Sequence, residues 1–298
     1  MKSSVALSRS VALMEGLVVA VLWASSAVLA KLGLRQEIGP LTLAGLRYFL
    51  AALVLLPFAL CRGNPVRSLS PSLWLRLLLM GISAYTVGNG AFFLGLQYLP
   101  ATTISFLLNC TPLLVLGASL LWLRESPTGL QVLGVIVALA GGTLFFSPGL
   151  KADGLLGLGI MGIGLVGFAL FSILGRTIAR DQETDTLTLT LVPLAAGGGL
   201  LLVWAALLEG IPAFSVTGGG IVLWLALVNT ALAYVLYNRA LRVLTALEIN
   251  MLLNLSPLGT AAFAWALLGE RLSVAQIVGM LIVILGVTLV QWKWKRLT

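Results

Sequence analysis

Residues 94–146 and 239–291 are one passage written twice, at a constant offset of 145 positions. Aligning Pro112 with Pro257 also matches Ala101 with Ala246, Leu108 with Leu253, Asn109 with Asn254, Glu125 with Glu270, Gln131 with Gln276, Gly134 with Gly279, Gly141 with Gly286 and Thr143 with Thr288, without a gap. The chain is a duplication, with halves 1–148 and 149–298. At 59% hydrophobic and 9% charged residues, with mean hydropathy +1.08, it lies far from soluble domains, which are roughly a quarter charged. The question that decides the fold is therefore how many times each half crosses a bilayer. An odd number obliges the halves to lie upside down relative to each other.

Spans of about 20 apolar residues cross the hydrocarbon core. Ten can be marked, at 12–33, 42–60, 72–95, 101–122, 128–147, 154–178, 187–208, 217–241, 246–268 and 273–294, five in each half. The same offset carries Lys31 onto Arg176 and Tyr85 onto Thr230, so spans 1 to 5 correspond to spans 6 to 10. The expected fold is all-α: an integral membrane protein of ten transmembrane helices in two inverted five-helix repeats. Lys2 and Arg9 ahead of the first apolar run resemble a signal peptide. The run is long, contains Glu15 and has its own repeat partner, so it reads as a retained helix.

Charge orients the spans. Lys2, Arg9, Arg62, Arg67, Arg76, Arg124, Arg176, Arg180, Arg239, Arg242, Lys293, Lys295 and Arg296 fall on the side of the termini, whereas Lys31, Arg35, Arg47, Lys151 and Arg271 fall on the other. The excess predicts cytoplasmic termini in a multi-pass protein of the inner cell membrane. The net charge of +8 is explained the same way, and no nucleic-acid partner is expected. Thr128 with Gln131, Ser273 with Gln276 and Thr245 with Glu248 read as capping boxes, and Pro100 and Pro127 sit at helix starts. Residues 176–187 read as a wet linker. Cys61 and Cys110 lie at different depths and are expected to be free thiols.

The strongest local signal is Asn109-Cys-Thr-Pro112 and its twin Asn254-Leu-Ser-Pro257, each near the middle of a span. Proline removes a helical hydrogen bond and displaces the carbonyl four residues back, here Leu108 and Leu253. Exposed backbone polarity in lipid is tolerated only beside protein or water. Either Pro112 and Pro257 kink two helices that line a central cavity, or the kinks serve packing with Asn as an interhelical bond. Ser105 with Asn109, Asn250 with Asn254, Tyr85 with Asn89, and Thr230 with Tyr234 each lie four apart and share a helix face. Trp23, Ser25 and Ser26 in span 1 answer to Phe168 and Ser172 in span 6. Together these positions describe a neutral, hydrogen-bonding, partly aromatic pocket. Both Asn motifs match the glycosylation sequon, and Gly157, Gly159 and Gly162 match a dinucleotide fingerprint, but neither context supports the match.

The chain has no histidine, so a histidine–glutamate zinc site and a Ser-His triad are excluded. No cofactor, metal or catalytic residue is expected. No carboxylate marks the centre of a span; Glu15, near the start of span 1, is the one possible coupling group.

The second half, from Asn254-Leu-Ser-Pro257 through Leu267-Leu268-Gly269-Glu270-Arg271-Leu272-Ser273 to Gln276-Ile277-Val278-Gly279 and Gly286-Val287, resembles the EamA repeat of the drug/metabolite transporter superfamily. Val21-Leu22-Trp23-Ala24-Ser25-Ser26 resembles that family's opening. In the first half Arg124-Glu125-Ser126-Pro127 replaces the usual Gly-Glu pair. The resemblance covers essentially all 298 residues. It implies ten helices, inverted repeats and alternating access, and is most similar to the YddG-type amino-acid exporters. The sugar-phosphate branch is expected to carry Lys or Arg in its cavity, and none is expected there in this chain.

The expected function is export of small neutral or zwitterionic metabolites, amino acids above all, including aromatic or hydrophobic ones. The alternative is a proton-coupled exporter of drugs or hydrophobic cations that uses Glu15. Expected site residues are Trp23, Ser26, Tyr85, Asn89, Ser105, Asn109, Phe168, Ser172, Tyr234, Asn250 and Asn254. The expected partners are a small solute and the bilayer, and the expected state is a monomer, with a dimer as the alternative.

Overall fold

A computed structural model describes residues 7–61, 69–95, 97–149, 154–210, 215–268 and 272–292. Gly269, Glu270 and Arg271 lie outside these residues, as do Lys2, Arg62, Arg67, Lys151, Lys293, Lys295 and Arg296 of the charge tally. The described residues are helical with no strand among them. Among them, nine helical stretches of 18 residues or more are apolar enough to cross a membrane. The first two spans are α1 (Arg9–Leu34) and α2 (Pro40–Cys61). The third is α3 (Pro71–Gly81), a π-helical segment Ile82–Gly88, and α4 (Asn89–Gly95). The fourth divides into α5 (Ala101–Asn109) and α6 (Thr111–Ala118), with a π turn at Ser119–Leu123, and the fifth is α7 (Gly129–Phe146).

In the second half, α8 (Leu155–Arg180) and α9 (Thr186–Leu208) are unbroken. Next come α10 (Val216–Ala226), a π segment Leu227–Leu232 and α11 (Ala233–Ala240). The stretch 246–268 divides into α12 (Ala246–Leu253) and α13 (Ser256–Leu268), neither of which reaches spanning length, and α14 (Val274–Gln291) ends the described chain. The π segments of the third and eighth spans begin at equivalent positions, 82 and 227. The same deviation from α geometry therefore recurs in both halves.

All three capping boxes form, at Thr128–Gln131, Thr245–Glu248 and Ser273–Gln276. The prolines do not merely bend continuous helices. Pro112 and Pro257 sit in the first turns of α6 and α13, where a missing N–H costs nothing, and each span is broken just before them. The wet linker is shorter than the sequence suggests. α8 runs on to Arg180, and Arg176 is buried within it.

Equivalent helices pair with each other: α7 with α14, and α2 with α9. α1 packs on α11 and α13, and its repeat partner α8 packs on span 3 and α6. The α7–α14 contact is backbone to backbone. A methyl on Gly141 would stand 2.9 Å from the Gly279 carbonyl oxygen, and one on Gly134 would stand 2.7 Å from that of Gly286. As residue numbers rise in one helix they fall in the other, so these equivalent helices cross antiparallel. Small residues permit that approach, which in lipid replaces the hydrophobic drive between helices.

Polarity is distributed inside out. Asn109, Asn229, Asn238, Asn250, Asn254, Ser172 and Thr190 are buried, while Val21, Phe58, Trp224 and Leu281 are exposed. A bundle whose outer surface faces hydrocarbon is built this way, with hydrogen-bonding side chains turned inward.

Candidate functional site

The centre of the bundle holds an aromatic cluster. The Trp23 ring lies 5.2 Å from Tyr234 and 6.0 Å from Tyr237, and Tyr85 lies 5.2 Å from Tyr234 and 4.7 Å from Tyr48. Phe171 stacks on Tyr237 at 5.5 Å and meets Tyr85 edge-on at 5.7 Å. Such offset and edge-on pairs contribute about 0.5–1.5 kcal/mol each beyond the area they bury. Tyr48, Tyr85, Tyr234, Tyr237 and Phe171 are buried, whereas Trp23 remains partly exposed.

Three polar groups adjoin the cluster. In the first, Arg47 Nη1 donates to Ser26 Oγ at 3.0 Å and Nη2 to the Tyr48 hydroxyl at 2.7 Å. Tyr48 donates in turn to Asn89 Oδ1 at 3.1 Å, and Asn89 Nδ2 donates to the Ala84 carbonyl at 2.9 Å. Asn89 lies five residues on from Ala84, the spacing of a π turn, and its backbone N–H bonds to the same carbonyl. In the second, Asn250 Nδ2 donates to Ser172 Oγ at 3.0 Å, and Ser172 lies 3.1 Å from the Tyr237 hydroxyl. In the third, the repeat-equivalent asparagines meet: Asn254 Nδ2 donates to the Asn109 carbonyl at 3.0 Å and approaches its Oδ1 at 3.3 Å.

The expected residues thus join neighbouring clusters instead of one lined face. Trp23, Tyr85 and Tyr234 share the aromatic centre, Ser26 and Asn89 flank Arg47, and Ser172 with Asn250 and Asn109 with Asn254 form separate pairs. Phe168 packs against Gly88, where its ring would stand 2.8 Å from an added methyl, and its neighbour one turn on, Phe171, takes the place in the cluster. Ser105 is partly exposed on α5. Glu15 is buried in α1, with Oε1 3.0 Å from Arg239 Nη2.

Arg47 corrects the sequence reading most. It lies not among the loop charges but inside α2, seven residues from Pro40, roughly 10 Å of helix rise. The centre is therefore not neutral. A basic residue well within an apolar span is itself the signal for this position. Tyr48, Phe171 and Tyr237 had no comparable signal, since an aromatic in a membrane helix fits lipid or core equally well.

A separate groove of about 260 Å³ between α2, α3 and α9 is lined by Phe49, Leu53, Leu56, Trp74, Leu78 and Leu191 among others. It is almost wholly apolar and continuous with the exposed Leu53 and Leu56, so it belongs to the lipid-facing surface.

At the end of the bundle that holds the start of α1 and the end of α14, four ion pairs join the halves. Arg9 pairs with Glu248 at 2.8 Å, Glu15 with Arg239 at 3.0 Å, Glu125 with Arg176 at 2.9 Å, and Arg76 with Glu183. Gln291 Nε2 donates to the Glu248 carbonyl at 2.8 Å and adds α14 to this layer. At the other end Glu209 accepts from the Leu41 and Thr42 amides at 2.9 and 2.8 Å, a carboxylate placed on the positive end of α2.

Two segments of the chain, 10–147 and 155–292, each match the EamA-like transporter family. The chain belongs to that family. Relatives of the chain include an uncharacterized transporter of Archaeoglobus fulgidus, 28% identical over 90% of this chain and 93% of its own length. An S-adenosylmethionine/S-adenosylhomocysteine transporter of Chlamydia trachomatis is 24% identical over 91% of this chain and 86% of its own. Human solute carrier family 35 member E4 is 28% identical over 84% and 70%. A crystal structure with 18% identity superposes with a TM-score of 0.81 over 95% of this chain and 99% of the other, which shows the shared fold. This EamA protein is accordingly a multi-pass membrane transporter.

Proposed function

We propose that this EamA protein exports small neutral or zwitterionic metabolites, amino acids foremost, across the inner membrane by alternating access. The observation that carries the reading is the antiparallel crossing of equivalent helices, α7 on α14, beside a centre of buried polar and aromatic groups. Two halves that can exchange conformations give one central site two exits. In this reading ten transmembrane helices form two inverted five-helix repeats, with α12 and α13 as parts of the ninth. The termini face the cytoplasm, and the protein works as a monomer. Trp23, Asn89, Ser105 and Phe168, the partly exposed members of the expected set, meet the solute first, and the buried members close the site behind them. S-adenosylmethionine, named for the chlamydial relative, carries an amino-acid group, which agrees with a zwitterionic solute.

A second reading rests on Glu15. Its buried Oε2 has no hydrogen-bond partner among the described residues, which suits a proton-coupled exporter of drugs or hydrophobic cations. Proteoliposome uptake of labelled neutral, aromatic, basic and acidic amino acids, with and without a pH gradient, separates the two. Saturable flux of neutral amino acids that ignores the gradient is the expected result. Flux of hydrophobic cations that requires the gradient and disappears in Glu15→Gln would transfer the assignment to the second reading.

A further inference from the structure

We infer that Arg47 is the residue that reads the solute's charge, and that it selects solutes bearing a carboxylate. This inference rests on the transport reading above and names the chemistry of its site.

The argument begins with charge. A guanidinium within a membrane helix is costly and persists where it has a partner. The described carboxylates in ion pairs are Glu15, Glu125, Asp181, Glu183 and Glu248, and their partners are Arg239, Arg176, Arg180, Arg76 and Arg9. Asp185 caps α9, and Glu209 caps α2. Among the described residues no carboxylate pairs with Arg47.

Geometry then shows what Arg47 can accept. A guanidinium carries five N–H donors in a planar fork. Two are engaged, by Ser26 and Tyr48, and the buried Nε has no partner among the described residues. The fork lies over the Tyr48 ring, 4.6 Å from its centroid, a contact that holds the plane in place. The chain from the Ala84 carbonyl through Asn89 and Tyr48 fixes its rotation. An oriented fork with an unused Nε–H donor matches a carboxylate, which can accept two parallel N–H bonds once the side chains covering Nε part.

Placement supplies the rest of the solute. Ser26 and Trp23 are three residues apart on α1 and share a face. A carboxylate held on Arg47 beside Ser26 therefore sets the remainder of the molecule next to Trp23, the partly exposed edge of the aromatic cluster. Tyr48 and Asn89 act as positioning residues, and Arg47 with Trp23 makes the contacts.

The test uses full-length purified protein with four probes, L-leucine, L-phenylalanine and their carboxamides, which keep the amine and side chain but lack the carboxylate charge. Binding is read by ligand-dependent thermal stabilisation and transport by proteoliposome uptake. The wild type is expected to prefer acid to amide by about tenfold or more, the ratio expected of a hydrogen bond to a charged group. Arg47→Gln should remove that preference, and Arg47→Lys, which keeps the charge without the fork, should keep part of it. Unliganded unfolding temperature and gel filtration show that both variants are folded. Equal handling of acids and amides by the wild type, or an acid preference that survives in Arg47→Gln, overturns the inference while the export reading stands. Neither binding nor uptake of any probe overturns both.

Discussion

At the level of single residues, the two prolines matter for the carbonyls they release. Pro112 has no N–H for the Leu108 carbonyl, and the Thr111 hydroxyl donates to it instead at 2.6 Å. Across the break, Asn254 satisfies the Asn109 carbonyl. In hydrocarbon an unpaired backbone group costs several kcal/mol, although deletions of membrane hydrogen bonds average about 0.6 and reach about 1.7 kcal/mol. Thr111→Val should therefore lower the unfolding temperature of the detergent-purified protein by the equivalent of about 1 kcal/mol, and Thr111→Ser should not. A valine variant as stable as the wild type would mean that the Leu108 carbonyl finds another donor. The sequence marks Asn109 and Asn254 as equivalent and polar. It does not reveal that they touch, because an offset of 145 says nothing about where the axis relating the halves passes.

At the level of elements, the glycines fall into two kinds that the sequence does not distinguish. Gly134, Gly141, Gly279 and Gly286 hold α7 and α14 in backbone contact, while Gly159 and Gly162 on α8 have nothing within 4 Å of an added methyl. Gly141→Ala should push α7 from α14 at a cost of about 1–3 kcal/mol, seen as a lower unfolding temperature and reduced yield of monodisperse protein. Gly162→Ala should be neutral or stabilising by about 0.4–1 kcal/mol, since alanine only restricts the unfolded chain there. Equal effects of the two substitutions would contradict the close approach. The π segments at 82 and 227 were likewise illegible, because π turns have no periodicity of their own, while the capping boxes, which are local, formed as expected.

At the level of the whole molecule, the four ion pairs at the terminal end each join a residue of the first half to one of the second. Opening that end requires them to part. Of the set, Arg176 with Glu125 has a buried arginine that also donates to the Leu241 carbonyl at 2.7 Å. Glutamine keeps a hydrogen bond to Arg176 but loses the charge, a difference of about 1 kcal/mol, so Glu125→Gln should raise the population open at this end by roughly fivefold. A cysteine placed at Ser172, with Cys61 and Cys110 replaced by serine, should then react several-fold faster with an impermeant maleimide added from the side of the termini. An unchanged rate would remove these pairs from any gating role.

Nine of the ten apolar spans and most of their edges are legible in the sequence among the described residues, because hydrophobic length and capping act within one segment. The duplication likewise ties most elements of the first half to one in the second. What the tertiary structure decided is which side chains meet: Arg47 turned inward on Tyr48 and Ser26, Phe171 in the aromatic centre where Phe168 was expected, and Asn254 on the backbone of Asn109. Those contacts depend on how far helices rotate and approach one another. In a bundle with apolar residues on every face, rotation is set by packing among helices distant in sequence, and hydrophobic periodicity carries little record of it.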